Sequence, residues 1–146
     1  GIAPIKEMRS MGIPIGLGVD GSASNDSGNL ITEARQAMLM QRVSSGADAM
    51  SYREALEIAT RGGADILGRP ECGRIAIGKR ADIAIWDVSG IESAGSWDPA
   101  AILLTGPNQV KHLIVDGKFI VEDSQLLTSD LAKLINLQNK LAKALF

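Results

Sequence analysis

Cys72 is the only cysteine of this 146-residue chain, and His112 is its only histidine. One thiol cannot build an intrachain disulfide framework, which fits a reducing, cytoplasmic setting. It also excludes a cysteine zinc cluster, and one imidazole leaves no multi-histidine metal site within these residues. Aromatic residues make up 3% of the chain, too few for a base-stacking platform. Lys and Arg number 15 against 17 Asp and Glu, with no run of one sign. That balance speaks against nucleic acid or an anionic membrane as a partner. No apolar stretch approaches the ~20 residues that span a bilayer, and no signal-peptide pattern is visible. The chain opens at Gly1 and not at Met, so further sequence upstream is expected.

What is present suits a packed domain: 45% hydrophobic and 22% charged residues in about one domain's length. Residues 4–12 read as a short helix with Pro in its first turn and Gly at its end. Residues 14–19 (Pro-Ile-Gly-Leu-Gly-Val) read as a buried strand. Asn29 to Val43 carries Leu30, Ala34, Ala37, Met38 and Met40 near helical spacing, its methionines reading as core filler. Ser51 followed by Glu54 is a capping box opening a second helix. Gly62-Gly63 within that helix predicts either close packing or a break. Arg74–Ile77 and Ala81–Val88 read as strands around a Gly78-Lys79 turn, and Asp98 opens a short capped helix. Asp116-Gly117 between β-rich runs predicts a hairpin with a type I′ turn. Leu131, Leu134, Ile135, Leu141 and Leu145 form one face of a terminal surface helix.

Asp20 follows the apolar run and leads into Gly21-Ser22-Ala23-Ser24-Asn25-Asp26-Ser27. In parallel α/β architectures reactive side chains sit where strands end, because the loops there converge on a rigid scaffold. Asp20 is therefore a site candidate. An Asx-turn or a helix cap explains the same residue equally well. Two other motifs carry less. Gly73 to Arg80 nearly matches a phosphate-binding loop but lacks the final Ser or Thr, and both its flanks read as strands, where a helix should follow. His112 alternates with Val110 and Ile114, which points to packing or surface.

Gly16 to Asp26 resembles the eighth-strand motif of the amidohydrolase superfamily. The Asn25-Asp26 pair points to its cytosine-deaminase-like branch, which takes in oxidised-purine deaminases and triazine hydrolases. Gly73 to Asp87 resembles the G-x-I-x-x-G-K-x-A-D signature of that family's small β-sandwich, and Val110 to Lys118 its returning hairpin. The resemblance implies an α/β fold: a partial (β/α)8 barrel (last strand and flanking helices) over residues 1–70, the C-terminal part of a small β-sandwich over 71–128, and a terminal helix over 129–146. It implies a hydrolase of C–N bonds, of deaminase type, dependent on a divalent metal (zinc, or iron). The substrate would be a small N-heterocycle, and the assembly a homo-oligomer. Asp20 takes the position of the carboxylate beside the metal, serving as ligand and as acid/base. Ser22, Ser24 and Asn25 line the substrate pocket, or serve loop hydrogen bonding and capping. The family's H-x-H pair and further histidines have no counterpart here. One carboxylate does not hold a catalytic ion, so the chain alone is expected to bind no metal stably and to be inactive. The alternatives are a non-catalytic scaffold or oligomerisation module, and a small nucleotide-binding domain.

Overall fold

The computed structural model describes every residue except Ser22, Ala23, Asp26, Asn108 and Phe146. It divides into two units, Gly1–Arg80 with Val88–Pro107, and Ala81–Asp87 with Asn108–Phe146.

The first unit is helical. Helix α1 (Ile5–Ser10) ends where Gly12, at φ +72°, lets the Ile13 amide return to the Met8 carbonyl. Helix α2 (Leu30–Ser45) starts at Asn29, whose side chain accepts from the Ile31 and Thr32 amides. Ser51 caps α3 (Tyr52–Glu57), and both bonds of the capping box form. The helix then widens into a π-turn (Ile58–Gly62), continues as α4 (Gly63–Ile66), and stops at Gly68, φ +64°. Both readings of the glycine pair are therefore realised. A Cβ on Gly62 would lie 2.1 Å from the Ile15 carbonyl oxygen, and one on Gly16 would lie 2.9 Å from Gly63 Cα. Two backbones touch here because neither carries a side chain. Helix α5 (Pro99–Thr105) is capped by Asp98, which also takes a bidentate ion pair from Arg53 at 3.0 Å.

Ile5, Ala34, Met38, Met50, Ala55, Ile58 and Leu104 form the buried cluster, with Ile15, Leu17 and Ile31 packed against it. Met38 is a core residue, as its helical spacing suggests; Met40 is half-buried, and Met50, between helices, is buried too. Gln41 is also fully buried. Its amide donates to the Ala3 carbonyl at 2.9 Å and its oxygen accepts from the Lys6 amide. A buried carboxamide with both ends bonded joins α2 to the start of α1, the two bonds offsetting its removal from water.

Two expected strands are absent. Residues 14–19 are neither helix nor strand. A strand exists only through the ladder beside it, and no described residue pairs with this run; it lies against the backbone of Gly62-Gly63 and packs on the core through Ile15 and Leu17. Arg74–Ile77 is likewise irregular, with Ile75 and Ile77 solvent-exposed. Gly73, at φ +79°, fits against Arg61 and Ala64 where a Cβ would collide at 2.9 Å. That docking, and the bond from the Arg80 amide to the Glu71 carbonyl, turns the run away from ladder geometry.

The second unit is an antiparallel sheet in the order β1-β2-β3-β4. Its strands are β1 (Ile83–Asp87), β2 (Gln109–Val115), β3 (Lys118–Glu122) and β4 (Gln125–Leu126). Asp116 and Gly117 have φ of +51° and +76°, the type I′ turn expected of Asp-Gly. The Asp82 carboxylate accepts from the Asp116 amide at 2.7 Å and tethers that turn to β1. Strand β4 was not legible: its turn, Asp123-Ser124, also runs at positive φ but without a glycine. Bonds from the Ser124 amide to the Lys111 carbonyl and from the Asp123 amide to His112 Nδ1 hold it. Helix α6 (Leu131–Lys143), capped by Asp130, has no buried residue. The whole is mixed α/β, with no parallel ladder among the described residues.

Candidate functional site

Asp20 lies at φ +59°, a left-handed conformation that Asp tolerates better than bulkier residues. Its side chain is exposed; Oδ1 accepts from the Gly21 amide at 2.7 Å, and Oδ2 takes no hydrogen bond among the described residues. Helix α2 is capped by Asn29, so Asp20 is not a helix cap. The backbone behind it closes tightly. The Ser24 and Asn25 amides both donate to the Gly21 carbonyl at 2.9 Å.

Ser24 is exposed, and Ser22 lies outside the described residues. Asn25 is differently placed. Its Nδ2 donates to the Val19 carbonyl at 2.9 Å and to Glu33 Oε1 at 2.7 Å, and its Oδ1 accepts from the Ser27 amide at 3.2 Å. Both amide hydrogens are thus committed inside the chain, leaving one lone pair on Oδ1 for anything else. Glu33 is the residue that sequence reasoning missed. A carboxylate in the first turn of a helix reads as a favourable charge near the helix N-terminus. The only available signal was its position one turn beyond an Asn-rich loop.

A cleft of the first unit, about 220 Å³, is lined by Arg9, Ile13, Ile15, Glu57, Arg61 and Asp65, and does not include Asp20. Arg9 and Arg61 both pair with Glu57 there. The near-match to a phosphate loop is refuted by its context: no helix follows Lys79, whose Nζ donates to the Pro70 carbonyl at 2.6 Å. His112 accepts from the Asp123 amide and meets the Phe119 ring edge-on at 5.8 Å, a structural role in the hairpin. No group of three metal-ligating side chains occurs among the described residues. Asp20 brings one carboxylate, and the described residues do not make a metal site.

The amidohydrolase family model matches residues 1–120. The chain belongs to the amidohydrolase family. Within this family it is 44% identical over 146 residues to an 8-oxoguanine deaminase of Pseudomonas aeruginosa, covering 99% of this chain and 32% of that protein. A 5-methylthioadenosine/S-adenosylhomocysteine deaminase of Desulforudis audaxviator is 36% identical over 134 residues, covering 89% of this chain and 31% of the relative. Among solved structures, atrazine chlorohydrolase from Arthrobacter aurescens complexed with zinc superposes with a TM-score of 0.89 at 38% identity, over 97% of this chain and 32% of that one. An adenosine deaminase from Xanthomonas campestris with bound zinc gives 0.91 at 27% identity, over 99% and 34%. The chain thus spans about a third of the length of the family members it matches.

Proposed function

We propose that this chain is the catalytic-carboxylate segment of an amidohydrolase that hydrolyses a C–N bond of a small N-heterocycle, releasing an amine or ammonia. The observation that carries the reading is Asp20, held in a left-handed turn with one oxygen anchored and the other open to solvent. A carboxylate so placed takes a proton from the attacking water and returns it to the departing nitrogen, which requires an oxygen facing both. Ser24, exposed on the loop, and Ser22, which lies outside the described residues, are the hydroxyl residues assigned to substrate in this reading. Residues 14–19, irregular in this chain by themselves, would pair as the last strand of a (β/α)8 barrel with ladder partners from the part of the relatives that this chain does not match. Residues 1–70 are the end of that barrel, 71–128 a sandwich segment and 129–146 a terminal helix.

The zinc of the similar structures would need ligands beyond Asp20, since such sites use three or more. Alone, the chain is expected to be inactive. A homo-oligomer belongs to the same reading, supported by the apolar residues exposed on both units.

The test is a chimera in which this chain replaces the matching third of the P. aeruginosa 8-oxoguanine deaminase. Ammonia release from 8-oxoguanine is expected, and Asp20→Asn should lower kcat by about 10²–10⁴-fold, the range for a lost general acid/base. Full activity in Asp20→Asn would leave a scaffold role as the better reading.

A further inference from the structure

We infer that Asn25 and Glu33 form a clamp that fixes the direction of the Asp20 carboxylate, and that Asn25 is a positioning residue and not a substrate contact. The inference deepens the proposed function and rests on it for its kinetic consequence, but the clamp itself is defined by hydrogen bonds alone.

The geometry has three parts. Val19, immediately before Asp20, offers its carbonyl to Asn25 Nδ2 at 2.9 Å. The second hydrogen of that amide goes to Glu33 Oε1 at 2.7 Å, on the first turn of α2. Asn25 Oδ1 accepts from the Ser27 amide, which holds the carboxamide plane from its other end. One side chain therefore spans the residue before Asp20, the loop after it, and a helix packed in the core through Ala34 and Met38. A bond to an ionised acceptor is shorter and stronger than a neutral one, so Glu33 is the firm end of this chain of contacts.

Asp20 needs such a hold. Its backbone sits at positive φ, a conformation that an L-residue adopts only where its surroundings hold it, even where Asp tolerates it better than most. Among the described residues, the bond to the Val19 carbonyl is what keeps the peptide preceding Asp20 from rotating and carrying the carboxylate with it. The requirement on the partners follows from their chemistry. The residue at position 25 must donate twice and accept once, which a primary carboxamide does and a carboxylate does not. The residue at 33 need only accept, so Gln can replace Glu through its amide oxygen.

Two measurements test this. In the ¹⁵N-labelled chain, Glu33→Ala should shift the Asn25 side-chain amide pair and the Asp20 and Gly21 backbone signals. Glu33→Gln should restore them, and Arg35→Ala on the same helix should leave them in place. Unmoved Asp20 and Gly21 signals in Glu33→Ala would overturn the clamp. In the chimera, Asn25→Ala and Glu33→Ala should lower kcat about 10- to 100-fold, the scale of a roughly 1 Å misplacement, with KM within about twofold, and Glu33→Gln should recover most of it. A raised KM at unchanged kcat in Asn25→Ala would overturn the positioning role. An inactive unsubstituted chimera would defeat the functional reading, and the resonance shifts would still decide the clamp.

Discussion

The two units of the chain divide the work of folding differently. Every buried apolar residue among those described (Ile5, Ala34, Met38, Ala49, Met50, Ala55, Ile58, Ala64, Ala100 and Leu104) belongs to the helical unit. The sheet unit has none; its strands are half-buried at best, and the apolar residues of α6 stand about half exposed. The helical unit is held by an interior. The sheet unit is held by turns, ladders and caps: Asp116-Gly117 with Asp82, Asp123-Ser124 with Lys111 and His112, and Asp130 at the start of α6. Removing a contact should accordingly cost much in one unit and little in the other.

The largest effect is expected at Met38, which is 1% exposed at the centre of the cluster. Met38→Ala deletes a buried side chain and leaves a cavity, at a cost of about 2–5 kcal/mol. Hydrogen exchange followed by mass spectrometry separates the units: protection in α2 and α3 should fall sharply, while β2 and β3 keep theirs. Equal loss in both units would show that the sheet draws its stability from the helical core, and the comparison would break.

The same contrast explains what was legible in the sequence. Features decided within a few residues were readable: the Ser51-Glu54 capping box, the Asp-Gly turn, the Asp98 cap and the Gly12 stop. Those decided by distant partners were not. Residues 14–19 have the composition of a strand, yet composition cannot supply the neighbour that makes one. Arg74–Ile77 alternates well enough, but Gly73 docks on Arg61 and Ala64 and takes the run out of any sheet. The Asp123-Ser124 turn lacked the glycine that marks most such turns. At the candidate site, Asp20 stood out because a carboxylate after an apolar run is a local pattern. Glu33 did not, because its bond to Asn25 spans eight residues and depends on how the loop folds back.

A smaller effect belongs to the cap of α3. Ser51→Ala removes the hydroxyl that accepts from the Glu54 amide and donates to its carboxylate, at a cost of about 1 kcal/mol. This position also gives the helical unit a pH dependence. The Ser51 backbone amide foremost, and then its hydroxyl, hold the Glu54 carboxyl below the ordinary glutamate value of 4.5. A carboxyl lowered in the folded state contributes stability that is present above pH 4.5 and lost as pH falls through the lowered value. Ser51→Ala keeps the backbone bond and loses the hydroxyl, so its deficit against the unsubstituted chain should narrow in acid. Urea midpoints at pH 7 and pH 3 give the comparison, and a deficit that is constant across that range would refute the assignment.

The smallest effect sharpens the contrast from the other side. Leu134 and Leu141 lie on the apolar face of α6, exposed at 47% and 54%. Replacing both with Ser removes large side chains from a helix, which in a packed core would cost several kcal/mol. At solvent-facing positions such changes stay within about 0.5 kcal/mol each. Circular dichroism during urea unfolding should show nearly unchanged midpoints in Leu134→Ser/Leu141→Ser, against the large loss in Met38→Ala. A cost of 2 kcal/mol or more would mean that the face is covered in solution. Dependence of that cost on protein concentration would then identify a second copy as the cover.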